Sequence, residues 1–207
     1  MTSHTDEQWE AIANAWRKAA NQSDCVRLNA PEFVRWLKRE GYIKDYVCVP
    51  DGDLPGASGK FEGGIAFYRR SVWEAAEEGD PHSVWTLVHE GCHGMRNHQG
   101  VRYRAHEVQR RVLSARSGEE EFEANRLTAC VLAPFDKANF KPGMSADEIA
   151  ARFGLSREAA KLRLAEFERL YRRQRGTPRL LPPGIIDFLA EQKRKGFKVA
   201  TTLAEVY

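Results

Sequence analysis

The chain has 207 residues, enough for one domain or for one domain with a small appendage. Its 42% hydrophobic and 10% aromatic content excludes an intrinsically disordered protein. A net charge of +3 is only mildly basic, so it does not by itself indicate a nucleic-acid-binding protein. We see no signal segment, no bilayer-spanning apolar run and no Cys-x-x-Cys pair. These absences lead us to expect a cytoplasmic protein with free thiols and no membrane association.

The first third of the chain predicts two helices and two strands. Thr5 opens the first helix as the start of a capping box, and Asn29 caps a second helix that spans 31–40. Apolar residues in Tyr42–Val49 and Gly64–Tyr68 predict two strands. The intervening segment Asp51–Gly59 predicts a loop, because it is rich in glycine and proline. A capping box at Ser71 predicts a further short helix.

The segment that follows has the pattern of a metal-binding helix. Asp80 is a suitable N-cap and a proline follows it, so a helix is expected from there. His89 and His93 are four residues apart and therefore lie on one helix face, where both imidazoles can bind one Zn²⁺. Glu90, between them, can act as a general base. The alternative is an exposed helix with solvated histidines, which the apolar run before His89 disfavours.

The residues after His93 exclude one class of zinc peptidase. A metzincin would continue with glycine and histidine where this chain has Arg96 and Gln99. The third ligand must therefore come from further along the chain. The next segment, Val101–Arg116, predicts an arginine-rich helix with a solvated basic face. Three side chains in this part of the chain could steady an oxyanion, namely His98, Tyr103 and His106.

A later acidic helix, predicted over Glu119–Pro134, could supply a glutamate ligand of the kind found in thermolysin-type sites. The alternative is that its glutamates only complement the helix dipole. Together with Ser83–His93 and Ile149–Leu164, the segment Glu121–Pro134 resembles the ImmA/IrrE family of metallo-endopeptidases. The resemblance covers roughly residues 42–170. Its departures, such as Gly91-Cys92 within the histidine motif, affect packing residues and not the presumed ligands.

The resemblance implies a mostly helical α+β zincin-like domain with a small β-sheet and a helical C-terminal extension. It implies a Zn²⁺-dependent endopeptidase that makes limited cuts in a DNA-binding repressor, which is often encoded beside the peptidase. In such folds a strand near the metal helix often forms the edge on which an extended substrate lies, and we expect this of the strand Gly64–Tyr68. Nothing in the residues identifies which protein is cut.

Helix geometry separates the candidate glutamates. An apolar stripe comprises Leu127, Cys130, Val131 and Pro134. Extending this stripe backwards reaches Glu123 and then Glu120. Glu121 lies about 200° from Glu123 around the helix, so both cannot face the same ion. Glu123 also fits the family's Glu-Ala-[Asp/Asn] pattern. We therefore predict that Glu123 is the third metal ligand, with Glu120 in reserve.

The remaining chain predicts a helix-turn-helix-like region and a tail. Ser145, with Glu148 three residues later, forms a capping box that opens the first helix of this region. We expect a peptidase domain over 1–140, a helical region over 141–175 packed on it, and a tail of unassigned role over 176–207. The tail predicts a helix at 185–195 and a strand at 197–203. Three cations could face phosphates, namely Arg157, Lys161 and Arg163. The alternative function is therefore a DNA-associated regulator with a structural metal site, although direct nucleic-acid binding is not favoured.

Overall fold

A computed structural model of the chain describes residues 4–98, 102–105, 115–176 and 183–197. The described helices are α1 Asp6–Ala19, α2 Ala30–Arg39, α3 Arg70–Glu77, α4 Pro81–Met95, α5 Ala115–Leu132, α6 Phe135–Ala138, α7 Ala146–Phe153, α8 Arg157–Gln174 and α9 Pro183–Arg194. The described strands are β1 Asp45–Val49, β2 Ala57–Glu62, β3 Ile65–Arg69 and β4 Arg102–Ala105. The predicted mostly helical α+β fold is confirmed. None of the described helices combines the length and the apolar character needed to cross a membrane.

The four strands form one sheet in the order β1-β3-β2-β4. β1 runs parallel to β3, while β2 is antiparallel to both β3 and β4. The strand predicted at Gly64–Tyr68 corresponds to β3, and it lies between two neighbours. Its backbone hydrogen bonds are therefore already used on both sides, which corrects the expectation that it forms a free edge.

Two strands lie where the sequence predicted other structure. β2 begins at Ala57, within the segment predicted as a loop, and β4 occupies Arg102–Ala105, within the segment predicted as a helix. Both depend on pairing between distant segments, since Lys60 is in register with Tyr103. Residues 101 and 106–114 of the predicted helix lie outside the described residues, and its last two residues belong to α5. Most of the predicted strand at 197–203 also lies outside the described residues.

The helix starts follow the predicted local chemistry in three places. Thr5 and Ser145 form complete capping boxes, and Asp80 accepts a hydrogen bond from the backbone N–H of Ser83. Helix α3 is an exception, because it begins at Arg70 and has no side-chain cap. These caps fix where α1, α4 and α7 begin.

The chain divides into two compact units, Met1–Glu166 and Phe167–Tyr207. In the first unit α4 is central and packs against α2, α3, α5, β2 and β3. The first residues of α8 join this unit through Arg163, which is fully buried. Arg163 pairs with Glu10 and Glu166 and donates to the backbone oxygen of Ala133. This burial removes Arg163 from the cations predicted to face phosphates, whereas Arg157 is exposed.

Candidate metal centre

The three residues of the histidine motif are buried on α4. His89 is 2% exposed, and Glu90 and His93 are 0% exposed. An added Cβ at Gly91 would lie 2.5 Å from Leu37 Cδ1, and one at Gly94 would lie 2.3 Å from Ile43 Cγ2. The two glycines therefore let α2 and the segment before β1 approach α4 closely, and this packing fixes the helix that carries the motif.

Three side chains from two helices converge in this interior. The Nε2 atoms of His89 and His93 are 3.2 Å apart, and each is 3.3 Å from a carboxylate oxygen of Glu121 on α5. One ligand atom from each residue lies within 4.8 Å of the others. Two imidazole nitrogens and a carboxylate are a donor set that Zn²⁺ accepts in catalytic sites. The residues present therefore fit a zinc ion.

The position of Glu121 corrects the predicted facing of α5. Glu123, the expected third ligand, instead lies 2.9 Å from Arg96 Nε and 3.4 Å from His98 Nε2. The expectation that Glu121 and Glu123 cannot face the same ion agrees with this arrangement. Glu120, held in reserve, is also absent from the cluster found among the described residues.

The facing was mispredicted because α5 packs on two helices at once. Cys130, part of the apolar stripe, lies beside Glu10 of α1, and the neighbouring Arg126 pairs with Asp6 of the same helix. The face toward α4 carries Glu121, Ala124 and Thr128, and Thr128 Oγ1 lies 3.6 Å from Cys92 Sγ. Small or polar residues spaced by three and four positions were the signal for this second face.

The comparison with protein-family models decides the family. The model described as the IrrE N-terminal-like domain, Peptidase_M78, matches residues 52–165. The chain belongs to this family. The match is more than half of the chain and includes all three converging residues. No curated protein and no solved structure matches.

Membership of Peptidase_M78 supports a peptidase, and hence a hydrolase, whose family typically uses a metal. In this family member the carboxylate of Glu121 is close to two imidazoles. Burial raises the pKa of Glu121, but hydrogen bonds to His89 and His93 outweigh burial, so the pKa is held well below its usual range. A carboxylate that stays ionised is suited to binding a cation.

A third histidine, His98, lies beside the two histidines of the motif. His93 Nδ1 is 2.9 Å from Nδ1 of His98, which is 8% exposed. Burial, together with the neighbouring His93, lowers the pKa of His98 to about 4. The sequence offers His98 as an oxyanion-steadying group, but in the structure it contacts Nδ1 of His93, whereas Nε2 of His93 faces Glu121. The side chains of the other two candidates, Tyr103 and His106, lie outside the described residues.

The motif glutamate is enclosed by the sheet. Gly59 on β2 lies so close that an added Cβ would be 3.0 Å from Glu90 Cγ and 2.9 Å from Thr86 Cγ2. Beside Gly59 in register, Tyr68 on β3 donates its hydroxyl to the backbone oxygen of Leu87 at 3.0 Å. Burial raises the pKa of Tyr68 well above its usual value, and the nearby Glu90 raises it further. The hydroxyl is thus a neutral donor that ties α4 to the sheet.

Asn125 lies one helical turn after Glu121 on α5. Its side-chain Nδ2 donates to the backbone oxygen of Glu121 at 2.8 Å. The contact connects successive turns of α5 at the position of the converging carboxylate. Asn125 therefore supports the backbone that carries Glu121.

Proposed function

We propose that the chain is a zinc-dependent endopeptidase. In this proposal His89, His93 and Glu121 hold the ion, and Glu90 is the catalytic general base. The observation that carries it is the convergence of two imidazole Nε2 atoms and one carboxylate in the interior of a peptidase-family domain. With three protein ligands, a tetrahedral zinc ion retains one position for water or substrate.

The bound ion and Glu90 have different roles in the proposed reaction. When bound, Zn²⁺ supplies a Lewis acid that polarises the scissile carbonyl and increases the acidity of water. Glu90 follows His89 directly, so its side chain leaves the helix about 100° away from the donor face. Its carboxylate accepts the proton of the attacking water and later delivers it to the leaving amine. The close approach of Gly59 holds the Glu90 side chain in place.

The proposed substrate is a protein, and specifically a DNA-binding transcriptional repressor that is cut at a limited number of bonds in the cytoplasm. The support is the resemblance of the three sequence segments to the ImmA/IrrE peptidases. The rival function, DNA binding by the helical region, loses one of its three proposed contacts because Arg163 is buried in ion pairs. The peptidase is therefore the function that we favour.

The test combines metal analysis with a cleavage assay. The purified protein should contain close to one zinc per chain and should cut the repressor encoded beside its gene into discrete fragments. A chelator should stop cleavage, and added Zn²⁺ should restore it. A chain that neither retains zinc after dialysis nor cuts the repressor at any zinc concentration would contradict the proposal.

A further inference from the structure

Helix α4 ends in a turn that brings His98 back beside His93. Asn97 has a left-handed backbone with φ of 51°, and its N–H donates to the oxygen of Gly94 at 2.9 Å. The N–H of His98 donates to the oxygen of His93 at 3.0 Å. These two hydrogen bonds form a Schellman motif, in which the residue two positions beyond the helix cap packs on the last turn. The backbone itself therefore sets where His98 lies.

The contact between the two imidazoles has a defined hydrogen-bond direction once a cation is present. The Nε2 atom of His93 faces Glu121 and His89, whereas its Nδ1 atom faces Nδ1 of His98 at 2.9 Å. A neutral imidazole that gives its Nε2 lone pair to a metal must carry its proton on Nδ1. Nδ1 of His98 then accepts that proton's hydrogen bond. The proton of His98 consequently lies on Nε2, which is 3.4 Å from Glu123 Oε2.

The carboxylate of Glu123 is itself held in place. Arg96 Nε donates to the same oxygen, Oε2, at 2.9 Å. The guanidinium of Arg96 lies 5.7 Å from the ring centroid of Trp9 on α1, within the range of a cation–π contact. A chain of contacts therefore runs from His93 through His98 to Glu123, and Arg96 connects Glu123 to Trp9 of α1.

We propose that His98 and Glu123 are positioning residues that orient His93 for the cation. This inference rests on the proposed zinc site and adds to it two residues outside the three-residue cluster. Imidazole ligands of metals commonly donate their second N–H to a neighbouring group, which fixes the ring and its tautomer. Here the neighbouring group is the imidazole of His98, and the carboxylate of Glu123 fixes the tautomer of His98.

The first measurement is zinc affinity, determined by competition with a chromophoric chelator. His98→Ala removes both hydrogen bonds and should weaken Zn²⁺ binding by about 10–100-fold. His98→Asn puts an amide oxygen near the position of Nδ1, so it should recover much of the loss without reaching Glu123. Glu123→Ala should also weaken binding. Glu119→Ala removes an exposed carboxylate from the same helix and should leave the affinity unchanged.

The second measurement uses the wild-type protein and needs no variant to fold. Long-range ¹H–¹⁵N spectra of the zinc-loaded protein should show His98 as the Nε2–H tautomer. His98 as the Nδ1–H tautomer, or wild-type zinc affinity in His98→Ala, would overturn the proposed positioning roles of His98 and Glu123 while leaving the zinc site intact. A wild-type chain that binds no Zn²⁺ would instead overturn the proposed function, and with it the positioning roles of His98 and Glu123.

Discussion

Replacing Gly94 with alanine tests the close packing that holds the candidate metal helix. The added Cβ would lie 2.3 Å from Ile43 Cγ2 and 2.9 Å from the backbone oxygen of Tyr42. Ile43 is 1% exposed, so its side chain cannot move out into solvent, and a backbone oxygen cannot rotate away. Overpacking of this kind costs up to about 3 kcal/mol, while alanine gains about 1 kcal/mol in helix propensity. The free energy of unfolding should therefore fall by about 2 kcal/mol.

Thermal unfolding followed by circular dichroism measures this change. At about 2–4 °C per kcal/mol for a chain of this size, the Tm of Gly94→Ala should fall by about 4–8 °C. Gly118→Ala is the matched control, because it also lies in a helix but its added Cβ meets nothing within 4 Å. Its Tm should rise. A Tm at or above the wild-type value for Gly94→Ala would refute the packing argument.

Three further predictions concern the ligands, the general base and the helix cap. Glu121→Ala should lose most of its zinc on dialysis, and Glu123→Ala should lose less, as measured by metal analysis of the dialysed proteins. Equal losses from the two variants would contradict the assignment of Glu121 as a ligand. Gly59→Ala pushes against Glu90, so kcat should fall by about 10²-fold with zinc content unchanged. Asp80→Ala should cost about 1 kcal/mol in denaturant titrations. Burial raises the pKa of Asp80, but hydrogen bonds from Ser83 outweigh burial and lower it. The contribution of Asp80 to the free energy of unfolding should therefore be fully present at a pH above its pKa in the unfolded chain. It should disappear as the pH falls through the lower pKa that Asp80 has in the folded protein.

Features governed by local chemistry could be predicted from the sequence. The caps at Thr5, Asp80 and Ser145 each join a side-chain oxygen to a backbone N–H three residues later, so a short stretch contains all the necessary information. The same is true of the histidine spacing on α4. Four residues span about one helical turn, and this fixes both imidazoles on one face wherever the helix packs.

Features governed by tertiary contacts could not be predicted in the same way. β2 and β4 pair segments about 40 residues apart. Gly59 interrupts the apolar positions of β2, and β4 alternates polar and apolar residues over only four positions, so neither pattern is sufficient to indicate a strand by itself. The facing of α5 failed for a related reason. The helix contacts both α1 and α4, so an apolar stripe alone does not determine which neighbour each glutamate faces. Glu121 could be assigned only once both neighbours were known.

The most direct test of zinc peptidase activity is Glu90→Gln compared with the wild type on the same repressor. The amide cannot accept the proton of the attacking water, and Glu90 is not among the proposed ligands. The variant should retain one zinc per chain and its wild-type Tm, while the single-turnover cleavage rate falls by about 10²–10⁴-fold. Cleavage by Glu90→Gln at the wild-type rate, with zinc retained, would contradict the proposed role of Glu90 and the mechanism built on it.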